Sequence, residues 1–237
     1  MTKTYTICVN GPGSSGKSSA AYEVSLCLKF AFLSTGNVYR AYTWALQKNN
    51  IIKYNKNQCL EIMKQYNFEF IGKSVFYNGE DIANDIGYEE LAIKAAHLAQ
   101  KSWYRDFINK NVIGPFIKNK NIVLEGRGLR EVVPEPSVEF YIKSTIFARA
   151  QRRLRQYVKR YGVNQHQVSL NTIYKQIERR DSLDMKRKLS PLKFEPGMKV
   201  INNSMIKRID TVKRMLKVIH KKYPELDINW KKVGTSK

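Results

Sequence analysis

Short apolar runs alternate with amphipathic stretches along most of this chain, and the alternation predicts strands and helices in turn. The first apolar run, residues 4–10, precedes a glycine-rich turn and a helix over about 17–30. Three later runs are predicted strands, at residues 122–124, 139–142 and 199–201. Alternating strands and helices predict an α/β protein with a central parallel β-sheet flanked by helices.

The amphipathic stretches predict the helices around this sheet. A long helix is expected over about 88–112. Two arginine-rich helices are expected over about 145–160 and 170–181, and others begin after the Thr-Gly turn at 35–36 and behind Asn57. The last predicted helix has an apolar face formed by Ile206, Ile209, Val212, Leu216 and Ile219.

Residues 68–82 have a different pattern, which is typical of a small antiparallel meander. Their short apolar runs are separated by Gly72-Lys73 and Asn78-Gly79, pairs that favour tight turns. We therefore expect one insertion in the α/β fold here and a smaller one in the polar loop at 162–168. The expected division is a core of residues 1–35 and 115–222 with a lid at about 155–170, an inserted domain at 36–114, and a basic tail at 223–237. Residues 231–237 of this tail are expected to be disordered.

Composition limits the classes to which the chain can belong. Hydrophobic residues make up 43% of its 237 residues, so an ordered domain with a substantial core is expected rather than a disordered chain. The formal net charge of +22 favours an anionic partner such as nucleic acid, an anionic membrane surface or phosphorylated metabolites. A Lys- and Asn-rich surface that reflects genome composition is the alternative explanation of this charge.

The cysteines and the longest apolar stretch indicate a cytoplasmic protein. Cys8, Cys27 and Cys59 have no metal-binding spacing and are typical of reduced, buried cysteines. The apolar stretch near 24–33 is interrupted by Lys29 and is far shorter than a membrane span. No signal peptide is visible before the first strand. We therefore expect no membrane partner.

The turn after the first strand matches the P-loop pattern Gly-x-x-x-x-Gly-Lys-Ser in full. Its glycines allow backbone amides to point at phosphate oxygens, and the following helix adds its positive N-terminus. Lys17 is expected to reach the β- and γ-phosphates of a nucleoside triphosphate, and the Ser18 hydroxyl to ligate Mg²⁺. The predicted triphosphate-binding residues are Gly11, Pro12, Gly13, Ser14, Ser15, Gly16, Lys17, Ser18 and Ser19.

GTPases, motors and small-molecule kinases share this loop, so the phosphate acceptor has to be inferred from other residues. The chain has no Asn-Lys-x-Asp guanine motif, and the strand at 122–125 ends in Glu125 without an acidic run. Arginines are instead concentrated at predicted strand ends and around the polar loop. Transfer between two phosphorylated nucleotides brings several negative charges together, and arginine neutralises phosphate bidentately. The arginines therefore favour such a transfer.

Five motifs, in order, resemble those of bacterial cytidylate (CMP/dCMP) kinases. They are the P-loop, Ser34-Thr35-Gly36-Asn37-Val38-Tyr39-Arg40, Glu125-Gly126-Arg127, Arg149-Ala150-Gln151-Arg152-Arg153, and Arg180-Asp181-x-x-Asp184-x-x-Arg187-x-x-x-Pro191-Leu192. Their order and spacing hold from about residue 4 to 220. The resemblance implies a P-loop kinase fold with a lid and a small inserted domain that binds the nucleoside monophosphate.

The resemblance also implies transfer of the γ-phosphate of ATP to CMP or dCMP, with Mg²⁺. The residues implied to stabilise the charge in transit are Lys17, Arg149, Arg153 and Arg180, and those implied to bind the acceptor are Thr35, Arg40, Arg105, Arg127, Arg180, Asp184 and Arg187. Ser18 would ligate Mg²⁺, with Glu125 as a second candidate. No general base is needed, because the attacking phosphate oxygen is already ionised at neutral pH. We expect a monomer.

The chain departs from the family pattern at several positions. Gly128, Ser34 and Asn10 each stand where Asp is usual, Ala96 replaces a serine that contacts cytosine, and Leu183 replaces an arginine. These departures leave base selectivity open, so a UMP-accepting kinase is the first alternative. A nucleic-acid-binding P-loop protein, motivated by the net charge, is the second, although no motif for specific nucleic-acid recognition is present.

Overall fold

The computed structural model of this protein describes residues 3–162 and 169–235. Its strands are β1 (Thr6–Asn10), β2 (Ala31–Ser34), β3 (Glu69–Ile71), β4 (Ser74–Tyr77), β5 (Glu80–Asp81), β6 (Ile122–Gly126), β7 (Val138–Lys143) and β8 (Lys199–Asn202). Five of them form a parallel sheet in the order β2-β6-β1-β7-β8. The predicted α/β architecture is confirmed.

The helices pack on both faces of this sheet. They are α1 (Lys17–Leu28), α2 (Thr35–Lys48), α3 (Lys56–Gln65), α4 (Glu89–Leu98), α5 (Ser102–Ile108), α6 (Gly114–Ile117), α7 (Ile146–Tyr161), α8 (Leu170–Lys186) and α9 (Arg208–Lys222). Side chains alternate across a strand, so Ile7 and Val9 of β1 join the core with α1 and α9. Cys8, between them, joins the core with α2.

The segment between β2 and β6 contains the predicted meander. Strands β3, β4 and β5 pair antiparallel in that order, and Gly72 and Asn78-Gly79 have the positive φ that their turns require. Val75 of β4 belongs to the same apolar cluster as Leu124 of β6. The insertion therefore shares one continuous core with a face of the central sheet.

The apolar stretch near 24–33 is divided between two elements, and the strand β2 was not predicted. Helix α1 ends at Leu28, and Lys29 follows in the left-handed conformation with φ 56°. Its backbone N–H bonds to the Ser25 carbonyl and closes the helix. The chain then turns into β2, because a left-handed residue ends helical progression.

The prediction of one helix over 88–112 is wrong. Helix α4 ends at Leu98, Lys101 has an extended backbone, and a second helix, α5, begins at Ser102. Arg105 belongs to this second helix, and its Nη1 lies 3.5 Å from the carbonyl oxygen of Ala99 at the break. The start of α3 also differs, because Asn55 rather than Asn57 caps it.

The C-terminal segment packs against the core at Val233, and the backbone N–H of Gly234 donates to Glu23 of α1. These contacts contradict the disorder expected there. Ile228 is buried in the core that includes α1, and the backbone N–H of Asn229 donates to the Cys27 carbonyl at 2.8 Å. The arginine-rich helices α7 and α8 pack against each other. Residues 163–168 of the predicted lid lie outside the described residues. Within the described ranges, no helix has the length and apolarity of a membrane span.

Candidate active site

The P-loop connects the end of β1 to the start of α1. Gly11, Ser14 and Gly16 have φ of 152°, 57° and 81°. A Cβ atom on Gly11 would lie 2.6 Å from the carbonyl oxygen of Ile142, so only glycine allows this approach to β7. The loop delivers the chain to Lys17, where the positive N-terminus of α1 faces the space above the sheet.

Lys17 and Glu125 form a buried ion pair at the ends of this loop and of β6. Lys17 Nζ lies 3.1 Å from Glu125 Oε1 and 3.4 Å from the Pro12 carbonyl oxygen. Burial lowers the pKa of Lys17 to about 8, and Glu125 opposes that shift. Burial also favours a neutral Glu125, but Lys17 and the Ser34 hydroxyl outweigh it and hold the pKa of Glu125 below its usual value. Both groups are therefore ionised at neutral pH.

The residues around the Lys17–Glu125 pair fit a magnesium ion that is bound together with a triphosphate. Glu125 Oε2 is buried and accepts no hydrogen bond, so it is available to a metal-bound water. Ser18 is exposed in the first turn of α1. Across residues 3–162 and 169–235 no cluster of three acidic, histidine or cysteine side chains forms a metal site. Phosphate oxygens and water would therefore have to complete the coordination, as Mg²⁺ prefers.

One cleft beside the P-loop brings together every residue predicted to bind the acceptor. Those residues are Thr35, Arg40, Arg105, Arg127, Arg180, Asp184 and Arg187. Glu125, Ala96 and Gly128 line the same cleft. The lining comes from α2, α4 and α5 of the insertion and from β6 and α8 of the remainder, so the fold alone creates this juxtaposition.

Three arginines of this cleft are charged but poorly solvated. Burial lowers the pKa of Arg40, Arg180 and Arg187 to about 10. The Nε atoms of Arg40 and Arg180 are buried and have no acceptor. A buried donor without a partner costs about 1–3 kcal/mol. An anion bound in the cleft would remove that cost.

Asp184 lies between two of the arginines. Its Oδ2 is 2.9 Å from Arg127 Nε, and its Oδ1 is 3.7 Å from Arg187 Nη1. The closer contact is an ion pair without hydrogen-bond alignment, because neither atom has a hydrogen-bond partner. Arg187 also donates to the carbonyl oxygens of Ser190 at 2.6 Å and Arg127 at 3.1 Å. These contacts fix the orientation of both guanidinium groups.

Two arginines of α7 extend back to the P-loop. Arg149 Nη1 donates to the Gly13 carbonyl at 3.2 Å, and the same guanidinium pairs with Asp181 of α8. Arg152 donates to the Ser15 carbonyl at 3.2 Å and to the side chain of Asn203 at 3.1 Å. Arg152 therefore holds the loop in place at Ser15, and Arg149 contacts it at Gly13.

Two carboxylates that sequence reasoning missed hold predicted arginines. Glu89, the first residue of α4, pairs with Arg153 and with Arg180. Glu131 pairs with Arg105, whose Nε is 3.1 Å from Oε1. The contact between Glu89 and Arg180 joins residues that are 91 positions apart in the sequence. The contact between Arg105 and Glu131 joins residues that are 26 positions apart. No local pattern could have indicated either carboxylate.

Two departures from the family pattern have a physical explanation. Asn10 Nδ2 donates to Glu139 Oε1 at 2.9 Å while its Oδ1 accepts from the backbone N–H of Leu129. An aspartate at position 10 would instead oppose the Glu139 carboxylate. Gly128 has φ 67°, and a Cβ atom there would lie 2.7 Å from the Ser190 carbonyl oxygen. The backbone at this position therefore excludes the usual aspartate.

A P-loop next to an arginine-lined cleft, on a parallel α/β sheet, defines a phosphotransferase of the P-loop kinase class. The family model described as "Cytidylate kinase" matches residues 7–221, and the chain belongs to that family, whose members are nucleoside monophosphate kinases. A cytidylate kinase from Caldanaerobacter subterraneus is 29% identical over 219 residues, covering 92% of this chain and 96% of the relative. One from Ureaplasma urealyticum is 30% identical over 208 residues, covering 86% and 91%.

Gly128→Asp is expected to destabilise the protein by about 2–4 kcal/mol, because it combines backbone strain with a collision. The added Cβ would lie 2.7 Å from Ser190 O and 2.8 Å from Ser190 Cβ. Urea denaturation followed by circular dichroism measures the loss.

Gly79→Asp is the matched control, since Gly79 has φ 81° but no atom within 4 Å of its Cβ position. It carries the strain alone and should lose less than Gly128→Asp. Equal losses in the two variants, or an unchanged Gly128→Asp protein, would contradict the collision with Ser190.

Proposed function

We propose that this nucleoside monophosphate kinase transfers the γ-phosphate of ATP to CMP or dCMP, giving ADP and CDP or dCDP. The observation that supports this most is the single cleft lined by all of the predicted acceptor-binding residues. Arg127 joins the cleft to the P-loop, because its Nη2 lies 3.1 Å from the Cβ position of Gly13. A triphosphate on the loop and a monophosphate in the cleft would share these cations.

The proposed chemistry is an in-line phosphoryl transfer that depends on position and charge. Lys17 and Arg149 would bind the triphosphate at the P-loop, and Arg153 and Arg180 would neutralise the phosphoryl group in transit. Ser18 and Glu125 would hold Mg²⁺, which would neutralise part of the phosphate charge. The acceptor phosphate is already ionised at neutral pH, so no side chain has to remove a proton.

The lining of the cleft also supports a division of the chain into domains, which we propose here. Residues 36–114 would form the acceptor-binding domain, and residues 1–35 and 115–222 the core with a lid at about 155–170. Arg153 in α7 and Arg180 in α8 lie on either side of the lid segment. Closure of such a lid excludes water from the transferred phosphoryl group.

The wall of the cleft formed by α4 bears on the choice of acceptor base. It consists of Ala92, Ala95 and Ala96 of α4 and of Ala99, the residue that follows the helix. An alanine wall offers no side-chain acceptor to the exocyclic amine of cytosine. Uracil has a carbonyl oxygen where cytosine has this amine, so a wall without a side-chain acceptor favours acceptance of UMP as well. Phosphorylation of UMP is therefore the second candidate activity.

Initial rates with ATP and CMP, dCMP, UMP or AMP, with each diphosphate product separated by chromatography, test the proposed activity. CMP and dCMP should have the highest kcat/KM, and AMP a far lower one. UMP should follow CMP within about tenfold, because the alanine wall supplies no side-chain acceptor that would exclude uracil. Absence of turnover with every pyrimidine monophosphate would contradict the proposal.

The variant Ala96→Ser adds a hydroxyl acceptor to the alanine wall and should increase the ratio of kcat/KM for CMP to that for UMP by about threefold to tenfold. Ala148→Ser, on α7 and outside the lining of the cleft, is the matched control and should leave the ratio unchanged. A ratio that moves equally in both variants would exclude a specific role for position 96.

The pH dependence of kcat/KM for ATP should show the protonation of Lys17. This ammonium has to be charged to bind phosphate, and burial lowers its pKa to about 8 in the free protein. At CMP concentrations well below saturation, the apparent kcat/KM for ATP should therefore decrease about tenfold per pH unit above pH 8.

Glu125→Gln supplies the control for this profile. Glu125 raises the pKa of Lys17, so its neutralisation should move the decrease in kcat/KM to lower pH. A profile that stays level far above pH 8, or one that Glu125→Gln moves to higher pH, would contradict the assignment to Lys17.

A further inference from the structure

Glu89 connects three elements through its two carboxylate oxygens. It is the first residue of α4, Oε2 contacts Arg153 Nη2 of α7, and Oε1 lies 3.5 Å from Arg180 Nη1 of α8. The three side chains are only 10–13% exposed. Glu89 belongs to the insertion between β2 and β6, and both of its partners follow β7. The two contacts therefore join the insertion to the helices on either side of the lid segment.

Glu89 is the main counter-charge of both arginines. Among the described residues, no other carboxylate lies within ion-pairing distance of Arg153 or Arg180. Burial and the nearby Arg127 lower the pKa of Arg180, and Glu89 opposes that shift. Arg180 Nε remains buried without an acceptor. The Glu89 carboxylate thus compensates the charges of Arg153 and Arg180, while the Nε donor of Arg180 stays without an acceptor.

A phosphoryl group needs the same donors. Arginine N–H groups that point at a carboxylate cannot at the same time form full bidentate contacts with phosphate. A phosphate placed beside Glu89 in a buried site would also be repelled by its negative charge. Glu89 contacts one Nη atom of each guanidinium, so the remaining N–H groups can still reach a phosphate. Binding of phosphate at Arg153 and Arg180 is therefore stronger when Glu89 moves away from at least one of them.

We propose that Glu89 is an internal competitor for phosphate, which occupies Arg153 and Arg180 in the unliganded protein and is displaced when nucleotide phosphates bind. This inference rests on the proposed assignment of both arginines to the phosphoryl group in transit. Glu89 is then a positioning residue: it keeps the two guanidinium groups together and lowers the affinity for phosphate. Its displacement also frees α4 from α7 and α8, so that binding and rearrangement of the insertion are coupled.

Calorimetric binding of inorganic tripolyphosphate tests this competition without involving a base or a reaction. Glu89→Gln keeps the shape of the side chain but removes its charge, and should lower the Kd for tripolyphosphate by about threefold to tenfold. Glu90→Gln is the matched control, because Glu90 is the exposed neighbour in the same first turn of α4. It should leave Kd within about twofold of the parent protein.

Steady-state kinetics provide the second readout. Displacement of Glu89 predicts that Glu89→Gln lowers KM for ATP and CMP while kcat stays the same or falls, because a ground-state competitor has been removed. A merely structural tie between α4 and α8 predicts the opposite, a higher KM and weaker binding of tripolyphosphate. Glu89→Asp retains the charge on a shorter side chain, so its affinity for tripolyphosphate should lie between those of the parent protein and Glu89→Gln. It replaces Glu89→Gln in these measurements if Glu89→Gln does not fold.

The outcomes separate this inference from the proposed activity. Tighter tripolyphosphate binding by Glu89→Gln supports the competition even if no pyrimidine nucleotide is phosphorylated. Unchanged or weaker binding by folded Glu89→Gln or Glu89→Asp overturns it, even if CMP is turned over. Absence of tripolyphosphate binding to parent and variants alike would also overturn it, because the arginines would then not bind phosphate.

Discussion

Lys17 and Glu125 meet in a buried ion pair at the carboxyl ends of neighbouring strands, and the other parts of the site surround that pair. The P-loop bends over it, Ser34 of β2 donates to Glu125, and the cleft opens on its other side. Burial would be costly for either charge alone. The pair therefore ties the first residue of α1 to the end of β6.

Beyond this pair, cations exceed carboxylates in the cleft. Asp184 is placed against both Arg127 and Arg187, and Glu89 against both Arg153 and Arg180. Some guanidinium N–H groups still have no acceptor. Such a site is organised for negative charge before any ligand arrives. Preorganised cations stabilise charge in a transition state without reorganisation during the reaction. This property connects the electrostatics of the fold to the phosphoryl transfer that we propose.

The sequence was sufficient for those parts of the structure that depend on local pattern. The P-loop, the parallel sheet and the meander follow from glycine placement and apolar periodicity. The unpredicted features depend on single backbone conformations or distant partners: Lys29 adopts a left-handed conformation that creates β2, and Ile228 packs under α1. Glu89 was likewise invisible, because its partners are brought to it only by the packing of α4 against α8.

Phosphorus-31 NMR of the protein with ATP, Mg²⁺ and CMP follows the transferred phosphate directly. Transfer between two nucleotides predicts that the γ-phosphate resonance of ATP disappears as the β-phosphate resonance of CDP appears, in equal amounts. Inorganic phosphate should then stay at the level of a sample without protein. Release of inorganic phosphate without CDP, which would mean that water is the acceptor, would contradict the two-nucleotide site.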